Sequence, residues 1–260
     1  MKVVAVFLVA QILVSLAFSS DASKSAVSIP GGRFTPLYGF GKKEKREYQV
    51  APFYVDRVPV TRKKFHQFVL KHSEWSKSKV DSIYADKSYL NGLILTEKTA
   101  DLPITHISWF AAQAYCETMG GRLPTVLEWE FIAAASETKA DATRDPVFVD
   151  QILKWYSKPT NNRGSRKVGA EPANYYGVQD LHGLIWEWTA DFNSVFVSGD
   201  NRQDGDKSMA AVCGAGATDA SNRSDYAAFM RYAMRSSVEA RFSQANLGFR
   251  CAYDKKGEFK

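Results

Sequence analysis

The groups best suited to chemistry gather in one stretch near the C-terminal end of the chain. Cys213 opens it, and Gly214 and Gly216 follow, residues that let backbone approach a ligand closely. Arg223, Asp225, Tyr226, Arg231 and Arg235 come next. The thiol has two readings, a small buried hydrophobe or a reactive group at a cleft. Arginine side chains hold acidic or phenolic groups in a forked geometry, and Tyr226 serves as acid or base if its pKa is lowered. The competing reading is a network of structural hydrogen bonds among the same groups. We take Cys213, Tyr226 and Arg231 as candidate catalytic residues. Arg223, Asp225 and Arg235, with Trp186 upstream, are candidate substrate-binding residues.

The histidines suggest no metal centre. They are His66, His72, His106 and His182, and the first two share a helix at a spacing that does not bring both rings to one ion.

Several elements must position this stretch. Ile29-Pro-Gly-Gly-Arg-Phe reads as a turn and a strand start, and Tyr48 to Val55 as a strand. Thr61 caps a helix whose stripe is Phe65, Phe68 and Val69. Ser73 to Thr99 reads as a long loop. A second helix spans Ile107 to Gly121, capped by Ser108, with Phe110, Ala114 and Met119 on its inner side and Gly120-Gly121 as its stop. Thr125 and Glu128 form a capping box for a third helix, with Leu127, Phe131 and Ala134 inward and Glu128, Trp129 and Glu130 as cap and core. Residues 140 to 180 read as loop-rich, with a turn at Asn161 to Gly164. Leu181 to Phe192 reads as turn plus strand, Asn193 to Ala217 as a surface excursion, and Phe229 to Ser237 and Leu247 to Tyr253 as strands. The class is α+β, irregular and loop-rich.

At 260 residues, 45% hydrophobic and 24% charged, the chain can bury one large core and is not disordered in bulk. The net charge of +6 is spread along the chain without a basic stripe, which argues against nucleic acid as a partner. Lys2, the apolar run Val3 to Phe18 and the small residues around Ala17 and Ser19 form a signal-peptide pattern. The run is shorter than the ~20 residues of a spanning helix. The expectation is a signal peptide over 1–19, a flexible lead-in over 20–27 and a domain over 28–260. The protein would be exported, periplasmic in a Gram-negative source and otherwise secreted, with no stable membrane anchor after cleavage. Three cysteines in an oxidising compartment give one disulfide and one free thiol, and spacing alone does not choose the pair.

Four segments carry a resemblance. They are Tyr54-Val-Asp-Arg-Val-Pro-Val-Thr; Pro103-Ile-Thr-His-Ile-Ser-Trp through Gly121-Arg-Leu-Pro-Thr-Val-Leu-Glu-Trp-Glu; His182-Gly-Leu-Ile-Trp-Glu-Trp; and Arg235-Ser-Ser followed by Asn246-Leu-Gly-Phe-Arg-Cys-Ala. In this order they resemble the formylglycine-generating, or sulfatase-modifying factor, family. The stretch from Cys213 to Ser237 is similar to a branch containing the pyoverdine-maturation protein of pseudomonads and accessory proteins encoded beside nitrite reductases. The resemblance implies a variant C-type lectin fold and a Cys116–Cys251 disulfide. It implies a structural calcium near Glu187, with Leu184 where the family places Asn.

The resemblance also exposes a break. Formylglycine generation uses two cysteine thiolates on copper(I), a soft ion suited to sulfur. Their positions fall here on Asn222 and Ala227, neither of which supplies sulfur, so copper is not expected. The ergothioneine-type relatives take iron ligands from an extra helical domain that this chain has no room for. Three functions remain in view. The first is an exported maturation oxidoreductase acting on a peptide-derived small molecule or protein. The second is a non-catalytic ligand-binding or assembly module on the same fold. The third is formylglycine generation through unusual ligands.

Overall fold

A computed structural model describes residues 26–36, 47–157, 164–192 and 223–254. The expected signal peptide, most of the expected lead-in, the turn expected at 161–163 and the surface excursion expected after 192 lie outside the described residues, as do Cys213 and Asn222. Strand β1 (Ala26–Ile29) begins inside the expected lead-in, with Ala26 and Val27 paired to Asp56 and Val55. Its neighbour β4 (Phe53–Asp56) is the middle strand of an antiparallel three-stranded sheet, with β1 on one side and Ala252–Tyr253 on the other. The chain reaches β4 through β2 (Gly32–Phe34) and β3 (Tyr48–Val50), which pair with each other. The strand expected over Tyr48 to Val55 therefore breaks at residues 51 and 52 and serves two sheets.

The capped helices form as their side chains dictate. Thr61 accepts from Lys64 N at the head of α1 (Arg62–Lys71), where Phe65 and Phe68 are buried. Ser108 accepts from Ala111 N at the head of α2 (Trp109–Thr118). The inner face of α2 differs from expectation: Ala111, Ala112, Tyr115 and Cys116 are buried, whereas Phe110, Ala114 and Met119 are only partly so. Thr125 and Glu128 complete the capping box of α3 (Val126–Ala133), a helix buried nearly all round. Such a helix has no single inward stripe, and Leu127 stays partly exposed.

Two further helices replace expected loop and strand. Helix α4 (Pro146–Tyr156) follows Asp145, whose side chain accepts from Val147 N, with Pro146 in the first turn. It buries Val149, Ile152 and Trp155. Helix α5 (Arg223–Ser236) occupies the segment read as a strand over Phe229 to Ser237. Among its buried positions, Ala227, Ala228, Arg231, Tyr232 and Arg235 recur at three and four residues, a helical period that an alternating reading misses; Phe229 is buried beside them.

The closing strand also divides. β6 (Leu247–Gly248) pairs in parallel with β5 (Trp186–Glu187), and β7 (Ala252–Tyr253) pairs with β4. A Cβ on Gly248 would run into the Ile104 carbonyl, so the backbone approach there requires glycine. Between β6 and β7, Cys251 is bonded to Cys116 of α2, across 135 residues. Loop closure of that length stabilises by about 4 to 5 kcal/mol on the chain-entropy model. Two apolar clusters flank the sheet. One joins α1 and α2 through Phe65, Tyr115 and Phe249, and the other joins β1 and β4 to Trp129, Phe131 and Ile132 of α3.

Candidate binding site at helix α5

The side chains of α5 turn their charge inward. Arg231 donates through Nε to both oxygens of Glu130, at 2.9 and 3.0 Å, and through Nη2 to Oε2 at 2.6 Å. Its Nη1 donates to the Ala227 carbonyl at 3.2 Å and to the Tyr156 hydroxyl at 3.4 Å. Arg235, one turn on, donates through Nη1 to Glu130 Oε1 at 2.9 Å. Its guanidinium lies 4.7 Å from the Trp129 ring centroid and 5.9 Å from that of Tyr232. All three charged residues are nearly inaccessible: Glu130 is 4%, Arg231 6% and Arg235 4% exposed. Burial pushes the Glu130 carboxyl up, but the two guanidiniums outweigh it and hold its pKa at about 2. Burial raises the Tyr156 phenol despite the opposing pull of Arg231.

Trp129 links this cluster to a second one. Its Nε1 donates to Glu187 Oε2 at 2.8 Å. Arg250 donates to the same oxygen through Nε and to Oε1 through Nη2, both at 2.8 Å. Its other bonds go to the carbonyls of Asp56, Arg57 and Gln179. Glu187, expected as a calcium ligand, is therefore the partner of Arg250. The Arg250 guanidinium on both carboxylate oxygens supplies the positive charge that a hard cation would bring, and Leu184 offers no side-chain oxygen, so these side chains do not fit calcium. Among the described residues, no group of three or more His, Cys, Asp or Glu could hold a metal ion.

The structure separates the expected site residues. Arg231 and Arg235 come together on Glu130, whereas Tyr226 is 43% exposed and takes no part in that contact. Arg223 and Asp225 lie in the first turn of α5. Trp186 stacks on Tyr156 at 5.2 Å and packs against Trp155 at 5.1 Å, which brings it to the cluster through Tyr156. The reading missed Glu130 as the hub, Tyr156 as its neighbour and Arg250 as the lock on Glu187. The four-residue spacing of Arg231 and Arg235 in an Ala-rich amphipathic run was the available signal for the first. Beside the cluster, Phe148, Ile152 and Trp155 of α4 and His182 line a cleft of about 850 Å³. His182 donates from Nε2 to the Ala133 carbonyl at 2.9 Å, and burial together with Arg231 holds its pKa down at about 4.

A profile of the sulfatase-modifying factor enzyme 1-like domain matches residues 16–255. The chain belongs to this family. Among the proteins it is similar to is the inactive C-alpha-formylglycine-generating enzyme 2 of Bos taurus, 28% identical over 91% of this chain and 90% of that protein. The formylglycine-generating enzyme of Bos taurus is 25% identical over 88% of this chain and 74% of that protein. The crystal structure of CarF superposes with a TM-score of 0.52 at 16% identity, covering 88% of this chain and 98% of that one. The family and the observed elements agree on the variant C-type lectin fold. Ala227, read from the sequence as one of the two copper positions, is buried in α5 at 3% exposure.

Proposed function

We propose that this member of the formylglycine-generating family is an exported accessory or maturation protein that binds a peptide-derived ligand and does not generate formylglycine through copper. One observation carries the reading. The helix bearing the second copper position presents Ala227 to the interior, and its next inward residues, Arg231 and Arg235, close on Glu130. A methyl group donates nothing to copper(I), and Cys213 by itself gives one sulfur where the reaction needs two. The name of the inactive bovine relative supports a family branch in which the fold outlives that chemistry. Export is supported by the apolar N-terminal run and by the Cys116–Cys251 bond, which persists in an oxidising compartment.

The test is direct. The full chain is supplied with copper(I), oxygen and a cysteine-containing sulfatase peptide, and the peptide mass is followed. The expected result is unchanged cysteine beside an active formylglycine-generating enzyme as control. Conversion of that cysteine to an aldehyde would overturn the proposal. Mass spectrometry of small molecules and peptides released from the natively purified protein then reads the ligand class.

A further inference from the structure

The charges around Trp129 do not balance. On one side of the indole, Arg250 and Glu187 form a one-to-one pair. On the other, Arg231 and Arg235 share the single carboxylate of Glu130. Arg231 uses all three of its nitrogens on Glu130, Ala227 and Tyr156. Arg235 has an acceptor, among the described residues, for Nη1 alone. Both Glu130 oxygens already take two donors or more, so they have no geometry left for the rest of Arg235. The Trp129 face offsets part of the surplus charge but accepts no hydrogen bond in the plane of the guanidinium. Arg235 is 4% exposed, and its spare Nε–Nη2 edge is not sealed from solvent; it matches one kind of partner, a group with two coplanar acceptor oxygens and a single negative charge.

We infer that Arg235 is the receptor for one carboxylate of the bound ligand, held by the guanidinium edge that Glu130 leaves unused. The inference rests on α5 being a ligand-binding element, and it narrows the ligand to the acidic class. A phenol offers one oxygen and does not fill the fork. An ammonium group is repelled by the same surplus charge. A phosphate or sulfate, with more than one negative charge or a tetrahedral set of oxygens, overcompensates a single guanidinium or leaves acceptors buried without donors.

The experiment uses the full, disulfide-intact chain and two small probes, N-acetylglycine and its neutral amide. Calorimetry measures their affinities, and the ¹⁵Nε resonance of the Arg235 side chain reports contact. The acid is expected to bind at least about tenfold more tightly than the amide, as a charge-assisted pair should. It should also shift the Arg235 resonance, with methylphosphonate binding no better than the amide. In Arg235→Met, which removes both the charge and the fork, the preference for the acid falls to nearly none. Equal binding of acid and amide by the unmodified protein, or a preference that survives Arg235→Met, overturns the inference. So does methylphosphonate matching the acid. The acid-versus-amide comparison needs no variant, so a substitution that fails to fold does not protect the claim. Aldehyde formation on the sulfatase peptide would instead sink the wider reading and leave this result standing.

Discussion

Two buried arginine–glutamate clusters meet at Trp129 and differ in one number. Glu187 faces one arginine, Glu130 faces two. Arg250 is 0% exposed and every one of its nitrogens has an acceptor, in β4, in the turn after it, before β5, or on Glu187. That cluster ties three separated parts of the chain together and is chemically closed. The Glu130 cluster ties α3 to α5 but holds a surplus positive charge on Arg235. Closed pairs serve the fold, because every polar group is answered at a fixed geometry. A guanidinium edge with no acceptor in the described protein is left for water or a ligand to meet. The contrast separates a pair closed within the protein from a guanidinium with an edge to spare, within one family fold.

The comparison breaks most visibly if its hub is removed. Glu130→Gln leaves two guanidiniums buried without a counter-charge, and the loss should reach about 5 kcal/mol, the upper end for broken buried pairs. Denaturant unfolding of the oxidised protein measures it. A loss under about 1 kcal/mol would mean that neither arginine depends on Glu130. Next comes the disulfide that fixes β7 and Arg250 against α2. Cys116→Ser should cost about 4 kcal/mol by the loop-closure relation. It should also loosen the Glu187 cluster before the Glu130 cluster, as read by hydrogen exchange at Trp129 and Trp186 Nε1.

Acid titration probes the Glu130 side of Trp129. His182 has a folded pKa of about 4, below its ordinary 6.5, so it stays neutral in the fold while the unfolded chain takes up a proton. Stability should therefore fall first as pH drops from 6.5 toward 4. Glu130, with a folded pKa of about 2 against an ordinary 4.5, contributes fully above pH 4.5 and loses its contribution as pH falls toward 2. In Glu130→Gln the second decline should vanish and the first remain. The smallest effect is local. Thr125→Ala removes the cap of the helix that carries Trp129 and Glu130, at about 1 kcal/mol. It should weaken both clusters equally in a thermal melt followed by tryptophan fluorescence.

Much of this frame was legible in the residues. Thr61, Ser108 and the Thr125–Glu128 box marked three helix starts, because a cap is a local contact between residues three apart. The Cys116–Cys251 pair was legible through the family resemblance and not through spacing, since a bond across 135 residues leaves no local trace. Helix α4 carried its own signal in Asp145-Pro146, a capping side chain and a first-turn proline, overlooked among the polar loops around it. Helix α5 was misread because Phe229, Tyr232 and their neighbours look strand-like when charges are set aside. Counting Arg231 and Arg235 as inward-facing restores the helical period. That step needed Glu130, which lies 101 residues from Arg231 in sequence and reads there as one more polar member of a capped helix. A separation of 63 residues hid Arg250 from Glu187, which the family resemblance offered as a calcium ligand.

The most direct test sets the two arginines side by side. Arg235→Met and Arg250→Met are unfolded by denaturant under identical oxidised conditions, without added ligand. The account predicts that Arg250→Met loses about 3 to 5 kcal/mol, since it strands Glu187 and three backbone carbonyls. Arg235→Met should change stability by about 1 kcal/mol or less, or raise it, because a surplus charge leaves with the side chain. Equal and large losses in both variants would show that Arg235 is as fully answered within the protein as Arg250, and the distinction between a closed pair and a ligand-ready one would fall.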